Sequence, residues 1–262
     1  MNVKDYIDKI VNDAKKASRL MAIADTSVKN AALEQMALNL VNSKGILIAE
    51  NEKDLNAAQE AGMSSAMIDR LRLTDSRIED MAKGIREVVN LGDPVGEVME
   101  ETVRPNGMEI QKVRVPIGVI IIIYESRPNV TADAASLCLK TGNATILRGG
   151  KESIHSNIAI YRQISSALEK TGLDKNAIQV VETTDRQAVD YLLKADEYVD
   201  LVIPRGGESL IRNVVENSTI PVIKHYKGVC HVYVDEFANP DMARGVCLNA
   251  KLQRPGTCNA ME

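Results

Sequence analysis

Apolar residues recur at three- and four-residue spacing in the N-terminal part of the chain, which is the period of an amphipathic helix. One apolar stripe lies within residues 7–14 and a second within residues 33–41. Ser76 and Glu79 have the spacing of a capping box, in which a hydroxyl and a carboxylate satisfy the first backbone N–H groups of a helix. A third helix is therefore predicted to begin at Ser76 and to run through Val88.

From Gly92 the pattern changes to extended segments. Residues 98–103 and 108–115 flank Pro105-Asn106-Gly107, a sequence that is typical of a tight turn. These segments predict a β-hairpin that projects from the body of the protein. Such a hairpin either holds a subunit partner or is a solvated pair of loops, and the residues leave both interpretations open.

The next part of the chain alternates between strand and helix patterns. Strands are predicted at residues 118–124, 144–148, 178–181, 199–203 and 221–223, and helices at 131–140, 152–170, 186–194 and 208–217. This alternation predicts right-handed crossovers and an α/β fold with a doubly wound, mostly parallel sheet of the Rossmann type. The uninterrupted apolar run from Val119 to Ile123 agrees with a strand that is buried on both faces.

A second unit is predicted to follow this sheet. After Lys224 the sequence predicts a strand at residues 229–234 and a helix at 240–250, followed by a polar stretch at 253–259. We expect residues 1–227 to form the first domain, with its N-terminal helices and hairpin. Residues 228–262 then begin a second α/β domain that the chain leaves incomplete.

Composition and charge exclude several classes of function. The net charge of −4 and the pI near 5.6 give no basic surface for a nucleic-acid partner. The longest apolar run, at residues 119–124, is far shorter than the roughly 20 residues that a membrane-spanning helix needs. The charged N-terminus has no uninterrupted apolar segment of the kind found in signal peptides. We therefore expect a cytoplasmic protein without a membrane partner.

The four cysteines lack both CxxC pairing and the spacing of metal ligands, so we expect free thiols and no metal site. Cys138 and Cys247 fall in predicted helices and Cys230 in a predicted strand, where a cysteine usually packs in the core. Cys258 lies instead in a polar loop near Arg254, which would expose the thiol and lower its pKa. A loop cysteine without a function is the alternative.

Ligands of an open parallel sheet bind beyond the carboxyl ends of its strands, so the loops at residues 125–129, 149–151, 182–185 and 204–207 are the candidate site. The first strand is not followed by G-x-G-x-x-G, which disfavours a standard Rossmann dehydrogenase. The pairs Gly149-Gly150 and Gly206-Gly207 either approach a cofactor or form plain turns.

Two cationic residues, Arg148 and Lys151, lie at the end of the second strand of the sheet. In this region dinucleotide-binding proteins discriminate between a ribose 2′-hydroxyl and a ribose 2′-phosphate. Positive charge at this position favours a ribose 2′-phosphate over a hydroxyl. A solvated charge pair is the alternative interpretation. Thr183, in the third loop, is a further candidate for cofactor binding.

Four segments together closely resemble the gamma-glutamyl phosphate reductase family, within the aldehyde dehydrogenase superfamily. They are residues 115–129, 147–153, 203–207 and 253–259. The stretches Tyr-Glu-Ser-Arg-Pro-Asn at residues 124–129 and Gln-Arg-Pro-Gly-Thr-Cys-Asn at residues 253–259 are specific to that family. The resemblance covers essentially the whole chain.

The resemblance implies an aldehyde-dehydrogenase-like fold, with an NADP(H)-binding domain at residues 1–227 and the start of a catalytic domain at 228–262. It implies NADPH-dependent reduction of L-glutamyl 5-phosphate to L-glutamate 5-semialdehyde with release of phosphate, in proline biosynthesis. It also implies a homo-oligomer held by the hairpin at about residues 98–115, and a functional association with glutamate 5-kinase.

The same resemblance implies roles for the candidate residues. The Cys258 thiolate would attack the acyl phosphate, and its own N–H with the side chain of Asn259 or Ser126 would donate to the oxyanion. Other assignments are Arg148 and Lys151 to the adenosine ribose, Gly206 and Gly207 to the pyrophosphate, Thr183 to the cofactor, and Arg127 and Asn129 to the substrate's phosphate or carboxylate. Arg127 in a structural ion pair remains the alternative.

Two departures from the superfamily pattern affect this interpretation. Hydrolytic members carry a glutamate base, whereas the matching stretch here is His225-Tyr226-Lys227-Gly228, which suits a reductase that needs no water. Members of the family also continue well beyond the cysteine, so the chain is interpreted as C-terminally truncated. A catalytically inactive nucleotide-binding fragment and another acylating aldehyde dehydrogenase are the alternatives.

Overall fold

The computed structural model describes residues 2–226, 228–253, 255 and 260–261. Its N-terminal part consists of α1 (Val3–Met21), α2 (Thr26–Asn42), α3 (Lys44–Glu60), α4 (Ser65–Leu71) and α5 (Asp75–Asn90). The two apolar stripes lie on α1 and α2, as predicted. The predicted capping box is wrong: Thr74 is the N-cap of α5, because its Oγ1 accepts the N–H of Arg77 at 3.2 Å.

Helix α3 was not predicted, because part of its buried face is polar. Asn51 and Asp54 are buried along with apolar residues of α3, which interrupts the apolar period that a helix prediction needs. Asn51 donates to the backbone oxygen of Leu71 at 2.8 Å, and Asp54 accepts the N–H of Ser156 at 2.8 Å. These bonds connect α3 to the helices on either side of it.

The predicted hairpin is confirmed. Strands β1 (Val98–Val103) and β2 (Glu109–Val113) pair antiparallel, and nearly all of their residues are exposed.

The predicted alternation is also confirmed over most of its length. It comprises β3 (Val119–Tyr124), α6 (Asn129–Lys140), β4 (Ala144–Arg148), α7 (Ile154–Lys170), β5 (Ile178–Val180), α8 (Gln187–Leu192), β6 (Leu201–Arg205) and α9 (Glu208–Asn217). A 3-10 turn at Lys151–Ser153 precedes α7. The strands lie in the order β5-β4-β3-β6 and pair parallel.

The central strand β3 is buried along its whole length, as its sequence predicts. Ile120 and Ile122 pack on one face of the sheet in a cluster with residues of α2, α5, α6 and α7. Ile121 and Ile123 pack on the other face with residues of α1, α8 and α9. Because successive side chains of a strand point to opposite faces, β3 connects both cores, and the sheet is doubly wound.

Three predictions near the C-terminus are wrong among the described residues. Residues 221–223 form only a single bridge, between Val202 and Val222, and residues 229–234 form no strand, with a lone bridge between Cys230 and Met261. Helix α10 (Pro240–Leu252) agrees with prediction, but it buries no residue. Cys230 and Cys247 are half-buried and are not core residues.

Cys138 does lie in the core, as predicted, and its burial raises the pKa of the thiol to about 11. None of the helices in the described ranges combines the length and the apolar character needed to cross a bilayer.

Candidate active site

The candidate site lies where the strand order of the sheet reverses direction. After β3 the chain forms β4 and then β5 on one side of β3, whereas the next strand, β6, lies on the other side of β3. Ligands of open α/β sheets bind in the crevice beyond the carboxyl ends of the two strands at such a point. Here those ends carry Ser126 and Arg127 after β3, and Gly206 after β6. The N–H of Glu125 donates to the backbone oxygen of Arg205 at 3.2 Å and links the two loops.

Ser126 occupies an unusual backbone conformation at this point. Its φ of 37° is positive, which is uncommon for a residue other than glycine and often marks a functional site. Its N–H donates to Glu152 Oε1 at 3.0 Å, and its hydroxyl pairs with the same oxygen. The structure thus places Ser126 in the predicted crevice, but its hydroxyl is engaged by Glu152, a residue that the sequence did not indicate.

Both glycines of the loop after β4 lie close to neighbouring side chains. A Cβ at Gly149 would lie 2.0 Å from Asn157 Nδ2, and one at Gly150 would lie 2.1 Å from Glu152 Oε1. Close packing against the buried Asn157 therefore requires glycine at position 149, which is more than the plain-turn interpretation assumes. At position 150 the neighbouring atoms belong to the end of the flexible Glu152 side chain, which can move aside.

A buried chain of hydrogen bonds connects the end of β3 to the loop after β4. The Tyr124 hydroxyl pairs with Thr131 Oγ1 at 2.7 Å, and Thr131 Oγ1 pairs with Asn157 Oδ1 at 3.1 Å. Asn157 in turn donates to Ser153 Oγ at 3.0 Å. Burial raises the pKa of Tyr124, so the phenol keeps its proton. Such a satisfied network fixes the end of β3 relative to the loop after β4.

Arg148 and Lys151 differ in their environments. Lys151 is exposed, whereas Arg148 is half-buried and donates from Nη1 to the backbone oxygen of Gly149 at 2.9 Å. Burial lowers the pKa of Arg148, and the charge of Glu152 opposes that effect. Arg148 Nε is buried and has no hydrogen-bond partner among the described residues. Arg148 is therefore not part of a solvated charge pair. Its Nε is a donor that an acceptor atom of a bound ligand would satisfy.

The Gly206-Gly207 pair lies at the N-terminus of α9. The N–H of Gly207 donates to Glu125 Oε2 at 2.9 Å, and a Cβ at Gly206 would lie 2.6 Å from the carboxyl carbon of Glu125. A carboxylate of the protein thus takes the position where an anion would approach this helix N-terminus. A pyrophosphate can bind there only when the side chain of Glu125 turns away.

Thr183 lies in the loop after β5, as predicted, and its Oγ1 accepts the N–H of Asp185 at 3.2 Å. That bond stabilises the turn before α8, so the geometry gives Thr183 a local structural role.

A cavity of about 1280 Å³ lies beside the loop after β3. Its walls come from α4, α5 and the turn between them, from the start of α6, and from α10. Arg127 and Asn129 both line it, and Asn129 donates to Asp133 Oδ2 at 3.0 Å. Arg127 is exposed and forms no ion pair with a residue that the structure describes, so the structural ion pair is not observed.

Cys258 and Asn259, the predicted nucleophile and its neighbour, lie outside the described residues. Gln253, five residues before Cys258, and Ala260, two residues after it, both line the cavity with Arg127. The cavity is therefore lined by a residue of the loop after β3 and by residues that precede and follow Cys258 in the sequence.

The structure adds residues that sequence reasoning missed. Glu125 and Glu152 bind the loops of the crevice, and Arg70 and Arg72 line the cavity. Glu125 and Glu152 lie in segments that the sequence analysis singled out, but it assigned a role to neither side chain. The arginines did carry a signal, since two cations two positions apart interrupt the apolar pattern at the end of α4.

The chain is similar to known proteins over essentially its whole length. Residues 2–261 match the model of the aldehyde dehydrogenase family. The chain is 55% identical over 262 residues to a gamma-glutamyl phosphate reductase of Desulforapulum autotrophicum, which covers 100% of the chain and 63% of that protein. The chain thus spans less than two thirds of the length of this relative.

Two solved structures are similar in sequence and fold. The crystal structure of gamma-glutamyl phosphate reductase from Thermotoga maritima shares 43% identity with a TM-score of 0.92, over 98% of this chain and 62% of that one. The enzyme of the same name from Saccharomyces cerevisiae shares 33% identity with a TM-score of 0.78, over 98% and 64%. The family match and these similarities show that the fold is aldehyde-dehydrogenase-like and that the chain belongs to the aldehyde dehydrogenase family.

Proposed function

We propose that the protein carrying this chain reduces L-glutamyl 5-phosphate to L-glutamate 5-semialdehyde, with NADPH as the reductant and release of phosphate, as a step of proline biosynthesis. The similarity to reductases of that name supports the proposal. The observation that carries it is the cavity, because Arg127 and Asn129 line it together with Gln253 and Ala260, which lie five residues before and two residues after Cys258 in the sequence.

In this proposal Cys258 is the nucleophile. Its thiolate attacks the acyl carbon, a C–S bond forms, and the C–O bond to phosphate breaks, which leaves a thioester and free phosphate. NADPH supplies the hydride that reduces this thioester to the aldehyde and regenerates the thiolate. We assign the developing oxyanion to the N–H of Cys258 with Asn259 or Ser126, and Ser126 can serve only when its hydroxyl leaves Glu152.

The proposal also accounts for the residues at 225–228. His225, Tyr226 and Gly228 stand where hydrolytic relatives are expected to carry their glutamate base, so a water molecule near the thioester would meet no carboxylate from this segment. The thioester then survives until it is reduced.

The cofactor assignments fit the structure to different degrees. Arg148 has a buried, unpartnered Nε, and Lys151 is exposed beside it, so both could donate to a ribose 2′-phosphate. We keep Gly206 and Gly207 as contacts of the pyrophosphate, with Glu125 as the side chain that must move. Thr183 remains a proposed contact of the cofactor from the loop after β5.

Lys151→Ala gives the clearest test of phosphate recognition, because Lys151 has no part in packing the loop, whereas Arg148 also holds Gly149. We expect the Kd for NADPH to rise roughly tenfold, which is the worth of one charge-assisted hydrogen bond, and the Kd for NADH to change by less than about twofold. Titration of each dinucleotide measures both values, with Lys194→Ala as the exposed control. Equal losses for the two dinucleotides would rule out recognition of the 2′-phosphate.

Several wider features belong to the same proposal. We propose residues 1–227 as the cofactor domain and 228–262 as the start of the catalytic domain. The hairpin exposes Val98, Met99 and Val103 to solvent, which supports a role in a homo-oligomer. A labile acyl phosphate favours a functional association with glutamate 5-kinase, and we place the reaction in the cytoplasm.

The reverse reaction tests the proposed function and its alternatives together. We expect NADPH to form when the protein receives L-glutamate 5-semialdehyde, NADP and phosphate. Formation that requires coenzyme A in place of phosphate would identify another acylating aldehyde dehydrogenase. Binding of NADP without any turnover would identify a nucleotide-binding fragment.

A further inference from the structure

One wall of the cavity carries arginines that have no role in the reaction proposed above. Arg70 at the end of α4, Arg72 after it and Arg77 on α5 all line the cavity. Arg77 is engaged locally, since Nη1 donates to the backbone oxygen of Arg72 at 2.8 Å and Nη2 pairs with Asp69 at 3.0 Å. Arg70 and Arg72 are exposed, and neither side chain has a partner among the described residues. Two guanidinium groups are therefore available to a bound anion.

The same cavity also carries carboxylates, which decides what kind of anion fits. Asp80 on α5 and Asp133 on α6 both line it. Asp133 is half-buried and accepts one hydrogen bond from Asn129 through Oδ2, which leaves Oδ1 open. These carboxylates would repel an anion bound directly beside them, so the part of the cavity that they line suits a group that also carries positive charge. A zwitterion, with a carboxylate and an ammonium group side by side, complements a mixed wall of guanidinium and carboxylate groups.

We propose that Arg70 and Arg72 bind the α-carboxylate of the amino-acid substrate and that Asp133 binds its α-ammonium group. This inference rests on the proposed function and assigns the amino-acid end of the substrate within the same cavity. The acyl phosphate end then lies toward Arg127, which follows Ser126 at the carboxyl end of β3. The substrate spans the cavity between the two ends, and the arginines after α4 set specificity for an amino acid.

Steady-state kinetics of the reverse reaction separate the two ends of the substrate. In the protein that carries this chain, Arg70→Gln and Arg72→Gln are each expected to raise the KM for L-glutamate 5-semialdehyde on the order of tenfold, because each removes a charge-assisted hydrogen bond. The KM values for phosphate and NADP and the value of kcat stay within about twofold. Arg86→Gln is the matched control, since Arg86 pairs with Glu34 on the surface away from the cavity.

Substrate analogues identify which group each residue binds. 5-Oxopentanoate keeps the carboxylate and lacks the amino group, and pentanal lacks both, so each is measured as an inhibitor that competes with the aldehyde. We expect the arginine variants to weaken inhibition by 5-oxopentanoate and not by pentanal. Asp133→Asn raises the KM for L-glutamate 5-semialdehyde and leaves inhibition by 5-oxopentanoate unchanged.

The outcomes distinguish this inference from the proposed function. If the parent protein forms no NADPH from L-glutamate 5-semialdehyde, NADP and phosphate, both the inference and the proposed function are contradicted. If the parent is active but the arginine variants raise the KM for phosphate, or leave the KM for the aldehyde unchanged, the inference alone is overturned. Arg70→Lys and Arg72→Lys retain the charge and are expected to recover part of the affinity, which a folding defect would not allow.

Discussion

Replacing Cys258 with alanine should lower kcat for phosphate-dependent NADPH formation by about a thousandfold or more, because no other group in the proposed site can form the thioester. Dinucleotide binding should be almost unaffected, since the loops at residues 149–151 and 204–207 are assigned to the cofactor. The measurement is kcat in the reverse direction, together with the Kd for NADP by direct titration.

Cys247→Ser is the matched control for this change. Cys247 is a half-buried cysteine on α10, and we give it no role in the reaction. We expect its kcat to stay within about twofold of the parent value, as for most substitutions without a catalytic contact. Unchanged turnover in Cys258→Ala, or an equal loss in both variants, contradicts the assignment of the nucleophile.

Asp93→Ala should destabilise the fold by about 3–5 kcal/mol, the cost of leaving one partner of a buried ion pair without the other. Lys29 Nζ lies 2.5 Å from Asp93 Oδ2, and their side chains are only 1% and 9% exposed. Thr26 Oγ1 also donates to Asp93, at 2.6 Å. The substitution therefore leaves a buried ammonium without its carboxylate. Urea denaturation measures the free energy of unfolding, and an unchanged slope shows that stability alone has changed.

The effect of Asp93 should depend on pH in a defined direction. Burial opposes ionisation of Asp93, but the hydrogen bonds from Lys29 and Thr26 outweigh it and hold the pKa of the carboxyl below its usual value. The stabilisation is therefore complete above the ordinary pKa of aspartate and is lost as the pH falls through the lower pKa of the folded state. The difference between parent and variant shrinks over the same range.

Glu79→Ala is the control for this second prediction. Glu79 pairs with Lys44 at 2.5 Å, but its side chain is 62% exposed. Water screens such a pair, so we expect a loss below about 1 kcal/mol. A loss at Asp93 no larger than the loss at Glu79 would contradict the assignment of a buried, mutually dependent pair.

The parts of the fold that the sequence predicted are those where one physical signal dominates. The run from Val119 to Ile123 indicated a strand buried on both faces, and it is the central strand. Pro105-Asn106-Gly107 indicated the turn of the hairpin, which forms where expected. In each case local chemistry and tertiary packing favour the same structure, as is typical of natural sequences.

The features that the sequence did not predict have a different cause. They depend on contacts between side chains that are distant in sequence. Helix α3 buries Asn51 and Asp54 against partners as far away as Ser156, so its own apolar period is weak. Within the site, Ser126 was predicted, but its contact with Glu152 joins loops that follow two different strands. Pairing of this kind depends on the order of strands in the sheet, which no local motif records.

In the proposed reaction, phosphate and not water releases the acyl group from a thioester on Cys258. Mass spectrometry of the protein after incubation with L-glutamate 5-semialdehyde and NADP, without phosphate, tests it most directly. We expect a glutamyl adduct on the peptide that contains Cys258 and its disappearance when phosphate is added. Continued NADPH formation without phosphate and without an adduct, or an adduct on another residue, would contradict it.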